Sequence, residues 1–169
     1  ISDVSKVKNT FKRYVSKQVV DELLGDDGKL NLGGEEREVT ILFTDIRGFT
    51  SMSEKMEPER VVTTLNEYFS DMIDIVFKNN GTLDKIIGDE LMVLYGAPIS
   101  GENDTSRAVS TAIEMQSRIK EMNREKKRKK EPPIFVGAGI NCGRVVSGNI
   151  GSRVLMDYTV IGDTVNVAS

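Results

Sequence analysis

The sequence predicts an α+β fold: a split βαβ unit whose antiparallel sheet carries its helices on one face and is incomplete at its C-terminal end. Three observations lead there. Short β-branched runs and long stretches of 3.6-residue period alternate in the order strand, helix, strand, strand, helix, strand. The two central runs are joined by Gly88-Asp89-Glu90, which leaves room only for a hairpin. The 169 residues suit one domain with a little left over, and 38% apolar with 29% charged residues provide both a core and a solvated surface.

In chain order, the first 24 residues read as helical. Phe11, Val15 and Val19 recur every fourth residue, Val20, Leu23 and Leu24 extend that side, and Ser16 is placed to cap a short second helix. This segment either packs on its own domain or ends something longer. Gly25-Asp26-Asp27-Gly28 through Gly33-Gly34 reads as a linker, so residues 1–34 form a helical element with linker and residues 35–169 the globular unit. Residues 38–44 are a buried strand that ends in the turn Asp45-Ile46-Arg47-Gly48-Phe49-Thr50. Pro58 suits the first turn of a helix, along which Val61, Val62, Leu65, Tyr68, Phe69, Met72, Ile73 and Val76 face inward until Gly81 closes it.

Residues 82–87 and 91–95 form the hairpin. Asp104 is placed to cap a second helix with Ala108, Ala112, Ile113, Met115 and Ile119 inward. That helix runs out into Lys126-Lys127-Arg128-Lys129-Lys130 and Pro132-Pro133. Residues 134–141 and 145–150 read as two strands around a Cys142-Gly143-Arg144 turn, residues 155–161 as another, and Gly162-Asp163-Thr164 opens a last helix.

Composition excludes several kinds of chemistry. Lys plus Arg total 23 against 26 Asp plus Glu, a net charge of −3, so the global basic field of a nucleic-acid binder is missing and the run at 126–130 reads as a solvated helix end. There is no histidine, which removes Ser-His-Asp and Cys-His nucleophiles, His-ligated zinc and His acid–base work. The one cysteine, Cys142, rules out an intrachain disulfide and suits a reducing compartment. No stretch reaches the ~18 apolar residues of a membrane span and no signal peptide opens the chain, so no direct membrane insertion is expected of this segment. Chemistry falls to carboxylates, amides, hydroxyls, Lys, Arg and metal.

Two carboxylates stand out by position. Asp45 ends the first strand and Asp89 sits at the hairpin tip, and the first strand is expected between the hairpin's leading strand and the fourth strand, where the two can meet. Paired carboxylates repel unless a cation lies between them, and their hard oxygens suit Mg²⁺ or Mn²⁺, the ions of phosphoryl and nucleotidyl transfer. Aspartate also favours turns for local reasons, so spacing alone leaves both readings open. Gly48 permits a sharp bend whose successive N–H groups make an anion-binding concavity, and a phosphate loop beside metal carboxylates is a coherent pair. Lys85 is conspicuous among Leu83, Ile86 and Ile87, though a strand lysine commonly faces outward.

F-T-D-I-R-G-F-T (43–50), L-D-K-I-I-G-D-E-L-M (83–92), G-I-N-C-G-R-V-V-S-G-N-I-G (139–151) and Y-T-V-I-G-D-T-V-N-V-A-S (158–169), in that order, resemble the class III adenylate/guanylate cyclase catalytic domain of the bacterial adenylate cyclase type. The resemblance covers roughly residues 35–169 and implies a ferredoxin-like, palm-like domain. Residues 11–24 are similar to the helical element that links many bacterial members to an upstream sensor domain.

The resemblance implies that Asp45, Asp89 and the backbone carbonyl of Ile46 bind two Mg²⁺ or Mn²⁺ ions, and that the amides of Arg47, Gly48, Phe49 and Thr50 hold the β- and γ-phosphates. Asn166 would position the ribose. Lys85 and Thr159 would read the base, and Lys with Thr points to ATP, since adenine N1 accepts from a lysine and its N6 amine donates to a hydroxyl. Arg153 lies near a position where some members bind phosphate. The site would be shared across a head-to-tail homodimer, and the product would be cyclic AMP with pyrophosphate. The catalytic part is expected in the cytoplasm, where ATP is.

The family's transition-state arginine falls at the position after Ser169 and a phosphate-binding lysine further on, so these 169 residues alone are expected to turn over poorly. Three alternatives remain. A diguanylate cyclase would show a Gly-Gly-(Asp/Glu)-(Asp/Glu)-Phe hairpin where this chain has Ile-Ile-Gly-Asp-Glu. A guanylate cyclase, or a degenerate cyclase-fold module used for dimerisation or nucleotide sensing, would share the fold.

Overall fold

The computed structural model describes residues 3–11, 19–21 and 33–169. Within these ranges α1 (Asp3–Phe11) is followed by helical residues at 19–21, where Val19 and Val20 are buried. Val15, Ser16, Leu23, Leu24 and the turn Gly25 to Gly28, which carried the expectations for this region, lie outside the described residues. The globular part then runs β1 (Gly33–Ile46), α2 (Phe49–Ser53), α3 (Pro58–Lys78), β2 (Thr82–Ile87), β3 (Glu90–Tyr95), α4 (Asp104–Arg128), β4 (Val136–Gly151), β5 (Met156–Ile161) and α5 (Asp163–Ala168). No helix among the described residues is long and apolar enough to cross a membrane.

All strand pairs are antiparallel, and the order is β2-β3-β1-β4-β5. The first strand's neighbour is therefore the hairpin's trailing strand, not its leading one. β3 earns the central place by composition, since Leu91, Met92, Val93, Leu94 and Tyr95 are all buried, whereas Ile86 and Ile87 of β2 are exposed as on an edge. β1 is longer than residues 38–44, and the Gly33-Gly34 pair expected in a linker is paired with Asn149 and Gly148. The reason is β4. Residues 136–151 form one strand with no turn at Cys142-Gly143-Arg144, because Cys142 and Gly143 pair in register with Thr40 and Val39 of β1.

Gly137, Gly139 and Gly143 alternate along one face of β4, and α5 crosses that face. A Cβ on Gly139 would run into the Ala168 carbonyl oxygen, and one on Gly143 would stand 2.8 Å from Thr164 Oγ1. These glycines admit the close approach of a helix.

Helices α3 and α4 cover one face of the sheet, packing Tyr68, Met72, Val76, Ala108, Met115 and Ile119 on Leu42, Leu91, Val93 and Tyr95. Val62 and Ile113, expected inward, are 57% and 61% exposed, at the margin of stripes that need only about 100° of each helix. Asp104 is the first residue of α4 and not its cap, since its carboxylate turns to Arg107 while Asn103 takes the cap position in a left-handed conformation. α3 likewise ends before Gly81. Asn80 supplies the left-handed residue, with Gly81 N–H to Val76 O at 2.9 Å and Asn80 N–H to Phe77 O at 3.0 Å.

The opposite face holds a second cluster of Val39, Ile41, Phe43, Met92, Leu94, Val145, Val160 and Ala168. β2 and β5 are the outer strands by pairing, yet Asp84 of β2 and Thr159 of β5 are in direct hydrogen-bond contact at 2.7 Å. The β4–β5 arm thus folds back over the Met92–Leu94 face, which places the two sheet edges against each other.

Candidate active site

The β1 ladder delivers Asp45 to the end of the central strand, half-exposed after a run of buried residues from Val39 to Thr44. The β2–β3 turn delivers Asp89 beside it, through one bond: Ile46 N–H donates to Asp89 Oδ2 at 2.8 Å. A charge-assisted bond of this kind holds the hairpin tip against the strand end and leaves the other Asp89 oxygen uncommitted by it. Glu90, which the sequence reading did not single out, follows Asp89 at the start of β3. Its carboxyl is pushed above the usual range, by burial first and then by the Asp45 and Asp89 charges. The signal for it was only its place next to Asp89. Asp45, Ile46, Asp89 and Glu90 line an open cleft of about 280 Å³ together with Gly48, Phe49, Thr50 and Ser51.

Tyr68 lies beneath this acidic group, buried, with its hydroxyl 3.3 Å from Thr44 Oγ1. Burial raises its pKa to about 12, with the Asp89 and Asp45 charges adding to the shift, so it stays a neutral phenol.

The loop after β1 bends at Gly48, whose φ of 67° and ψ of 20° are left-handed and suit glycine. α2 begins there, and its first intrahelical bond is Met52 N–H to Gly48 O at 3.0 Å. The amides of Phe49 and Thr50 precede that bond, so neither has an acceptor within the helix. The Arg47 amide does not join them. It donates to Phe135 O at 2.7 Å, because the residues before β4 run alongside the end of β1 and continue its pairing. The Arg47 side chain lies across Gly137 and reaches within 3.6 Å of Asp45, an exposed pair of small energetic weight.

The other expected residues fall elsewhere. Lys85 and Thr159 are brought to one place, with Asp84 between them: Thr159 Oγ1 donates to Asp84 Oδ2 at 2.7 Å, and Lys85 Nζ lies 3.8 Å from Asp84 Oδ1. Asn166 is exposed on α5, which Asn141 anchors by an Nδ2–H bond to Thr164 O at 3.1 Å. Arg153 sits in the turn after β4, at the far end of that strand from Gly137, which faces Asp45. Within one chain it is not near the Gly48 turn, since the continuous β4 separates them.

The donor set fits a hard divalent cation, with two converging carboxylates, a neighbouring backbone carbonyl and an open cleft. Among the described residues no three Asp, Glu, Cys or His side chains are grouped to hold an ion, so such an ion would complete its shell with oxygens from outside the protein.

Fold and site together define an α+β domain with an acidic cleft beside a glycine turn that opens a short helix. The sequence pattern of the adenylate and guanylate cyclase catalytic domain matches residues 34–169, and the chain belongs to that family. It is 38% identical over 173 residues to an adenylate cyclase of Anabaena cylindrica, covering 98% of this chain and 33% of that protein. It thus spans about a third of that relative's length. Among solved structures, the guanylyl cyclase Cya2 is 45% identical with a TM-score of 0.76, covering 81% of this chain and 70% of that one. The adenylyl cyclase CyaB from P. aeruginosa is 38% identical with a TM-score of 0.77, covering 81% and 71%.

Proposed function

We propose that the chain is the catalytic domain of an adenylate cyclase that converts ATP to 3′,5′-cyclic AMP and pyrophosphate. The observation that carries this is the Ile46–Asp89 bond, which joins two carboxylates from distant parts of the chain beside the Gly48 turn. Asp45, Asp89 and the Ile46 carbonyl would hold two Mg²⁺ or Mn²⁺ ions, which when bound supply Lewis acidity to the ribose 3′-hydroxyl and charge neutralisation to the phosphates. The amides of Gly48, Phe49 and Thr50 receive the β- and γ-phosphates and stabilise charge on the departing pyrophosphate. Asn166 orients the ribose. The bond from O3′ to the α-phosphorus forms, the bond from that phosphorus to the pyrophosphate oxygen breaks, and the hydroxyl proton is released.

Lys85 donates to adenine N1 and Thr159 accepts from its N6 amine, which favours ATP. The 45% identity to a guanylyl cyclase leaves this choice to the base-reading pair, because overall identity reports the shared scaffold. The working unit is a head-to-tail homodimer, one chain giving Asp45 and Asp89 and the other Lys85, Thr159 and Asn166. It sits in the cytoplasm behind an upstream sensor domain that residues 1–34 connect.

The test is cyclic AMP formation from ATP with Mn²⁺ by the full-length protein, beside Asp45→Asn. Activity lost in the variant at unchanged fold supports the reading. Nucleotide binding without turnover, in a stable dimer, would favour a sensing or dimerisation module.

A further inference from the structure

Asp84 is a buried acid that the reaction outlined above leaves without a task. It occupies the irregular position of β2, where the register passes from Leu83↔Val93 to Lys85↔Met92 and leaves Asp84 without a partner in β3. Its side chain is 1% exposed. The carboxylate accepts the Thr159 hydroxyl at 2.7 Å and the Val160 backbone N–H, and it faces the Lys85 ammonium at 3.8 Å. It therefore touches both base-reading residues, one from each edge of the curled sheet.

We propose that Asp84 is a positioning residue for base selection: by accepting the hydrogen bond of the Thr159 hydroxyl it leaves Oγ1 only lone pairs to offer the nucleotide. The inference rests on Lys85 and Thr159 being the base-reading pair. A free hydroxyl discriminates poorly, since it can accept from the N6 amine of adenine or rotate and donate to the O6 carbonyl of guanine. An ionised carboxylate only accepts, so a hydroxyl bonded to it must spend its hydrogen there. Adenine's amine then meets lone pairs, whereas guanine's carbonyl meets lone pairs with lone pairs in a site where an unmet polar group is costly. Burial holds this arrangement, because Thr159 is itself 7% exposed and water is not at hand to compensate. The same carboxylate keeps the Lys85 ammonium beside the threonine, so the two base contacts are fixed relative to each other.

A purely structural Asp84, tying β2 to β5, would affect both nucleotides alike. The experiment separates the two. In the full-length protein, kcat/KM for ATP and GTP and the affinities for 3′-deoxy-ATP and 3′-deoxy-GTP, which lack the attacking hydroxyl, are measured for wild type, Asp84→Ala, Asp84→Asn and Thr159→Val. Asp84→Ala is expected to lower the ATP-to-GTP ratio about tenfold or more. Asp84→Asn, whose amide oxygen still accepts, keeps most of it, and Thr159→Val adds little on top of Asp84→Ala. Asp84→Leu gives the same reading if the alanine variant is too unstable to assay. A ratio unchanged in Asp84→Ala and Asp84→Leu, in a wild type that prefers ATP, overturns the inference and leaves the base-reading pair standing. A wild type with no preference for ATP overturns the pair and the inference together.

Discussion

The packing of α5 on β4 offers a sharp test, because a single methyl should disturb the site without touching it. In Gly139→Ala the new Cβ meets the Ala168 backbone carbonyl, which has no rotamer to escape into, so α5 must move off the sheet by about 1 Å. Overpacking of this kind costs about 1–3 kcal/mol, offset by up to ~1 kcal/mol from the smaller entropy of the unfolded chain. The net loss of up to ~3 kcal/mol corresponds, for a chain of this size, to a Tm lower by up to roughly 12 °C. Asn166 rides on α5, and a misplacement near 1 Å is worth on the order of a hundredfold in turnover, far more than the stability loss alone would cause. Gly143→Ala is the control. Its Cβ meets the Thr164 side chain at 2.8 Å, which can rotate away at the cost of its bond to Arg144 O, about 0.5–1.5 kcal/mol. Thermal melts and steady-state cyclic nucleotide formation read both quantities. Full turnover in Gly139→Ala, or a larger loss in Gly143→Ala, would refute the argument.

Lys85→Glu with Thr159→Cys should turn nucleotide preference from ATP toward GTP in a competition assay, and an unmoved preference would remove these residues from the base pocket. Asp45→Ala mixed with Asn166→Ala should regain up to one working site per heterodimer, whereas a stable mixed dimer without activity would sink the shared site. Stability should also fall at high pH, because burial raises Tyr68 and Tyr95 to about 12 from the ordinary 10, so the unfolded chain gives up these protons first. The loss sets in above about pH 10 and is complete near pH 12, up to ~2.5 kcal/mol for each group. Tyr68→Phe should flatten that slope in denaturant melts across the window, and parallel curves would show that Tyr68 does not titrate as its burial implies. At the acid end, burial holds Asp84 above the usual carboxylate range, so its ionisation costs stability as pH rises past about 4. Melts of Asp84→Asn against wild type should therefore diverge upward with pH; a constant gap would contradict it.

Much of the scaffold was legible because its signals are local. Pro58 and the apolar period to Val76 set α3, and two apolar runs around Gly88-Asp89 set the hairpin, with no need of partners. Local signals misled where glycine serves packing. Gly33-Gly34 and Gly143 look like breaks in a one-dimensional reading, but all three are paired in the β1–β4 ladder, where Gly34 makes room for the Val146 side chain and Gly143 for Thr164 of α5. The site divides in the same way. Asp45, Asp89 and Gly48 were conspicuous as carboxylates and glycine in turns. Asp84 was not, since an Asp beside a Lys on a strand ordinarily reads as a solvated pair, and only the curl of the sheet buries it against Thr159.

Sequence alone gave the available residue types, the succession strand, helix, strand, strand, helix, strand of the core and, through four motif blocks, the family resemblance. Those are properties of neighbours along the chain, where periodicity and turn chemistry act over a few residues. What distant residues do to one another came only with the folded sheet: Ile46 fastens Asp89 to the end of β1, the Arg47 amide bonds Phe135, and β5 returns over the sheet to set Thr159 against Asp84. Hydrogen bonds and burial of this sort depend on separation in space, which no spacing in sequence encodes until the sheet has closed.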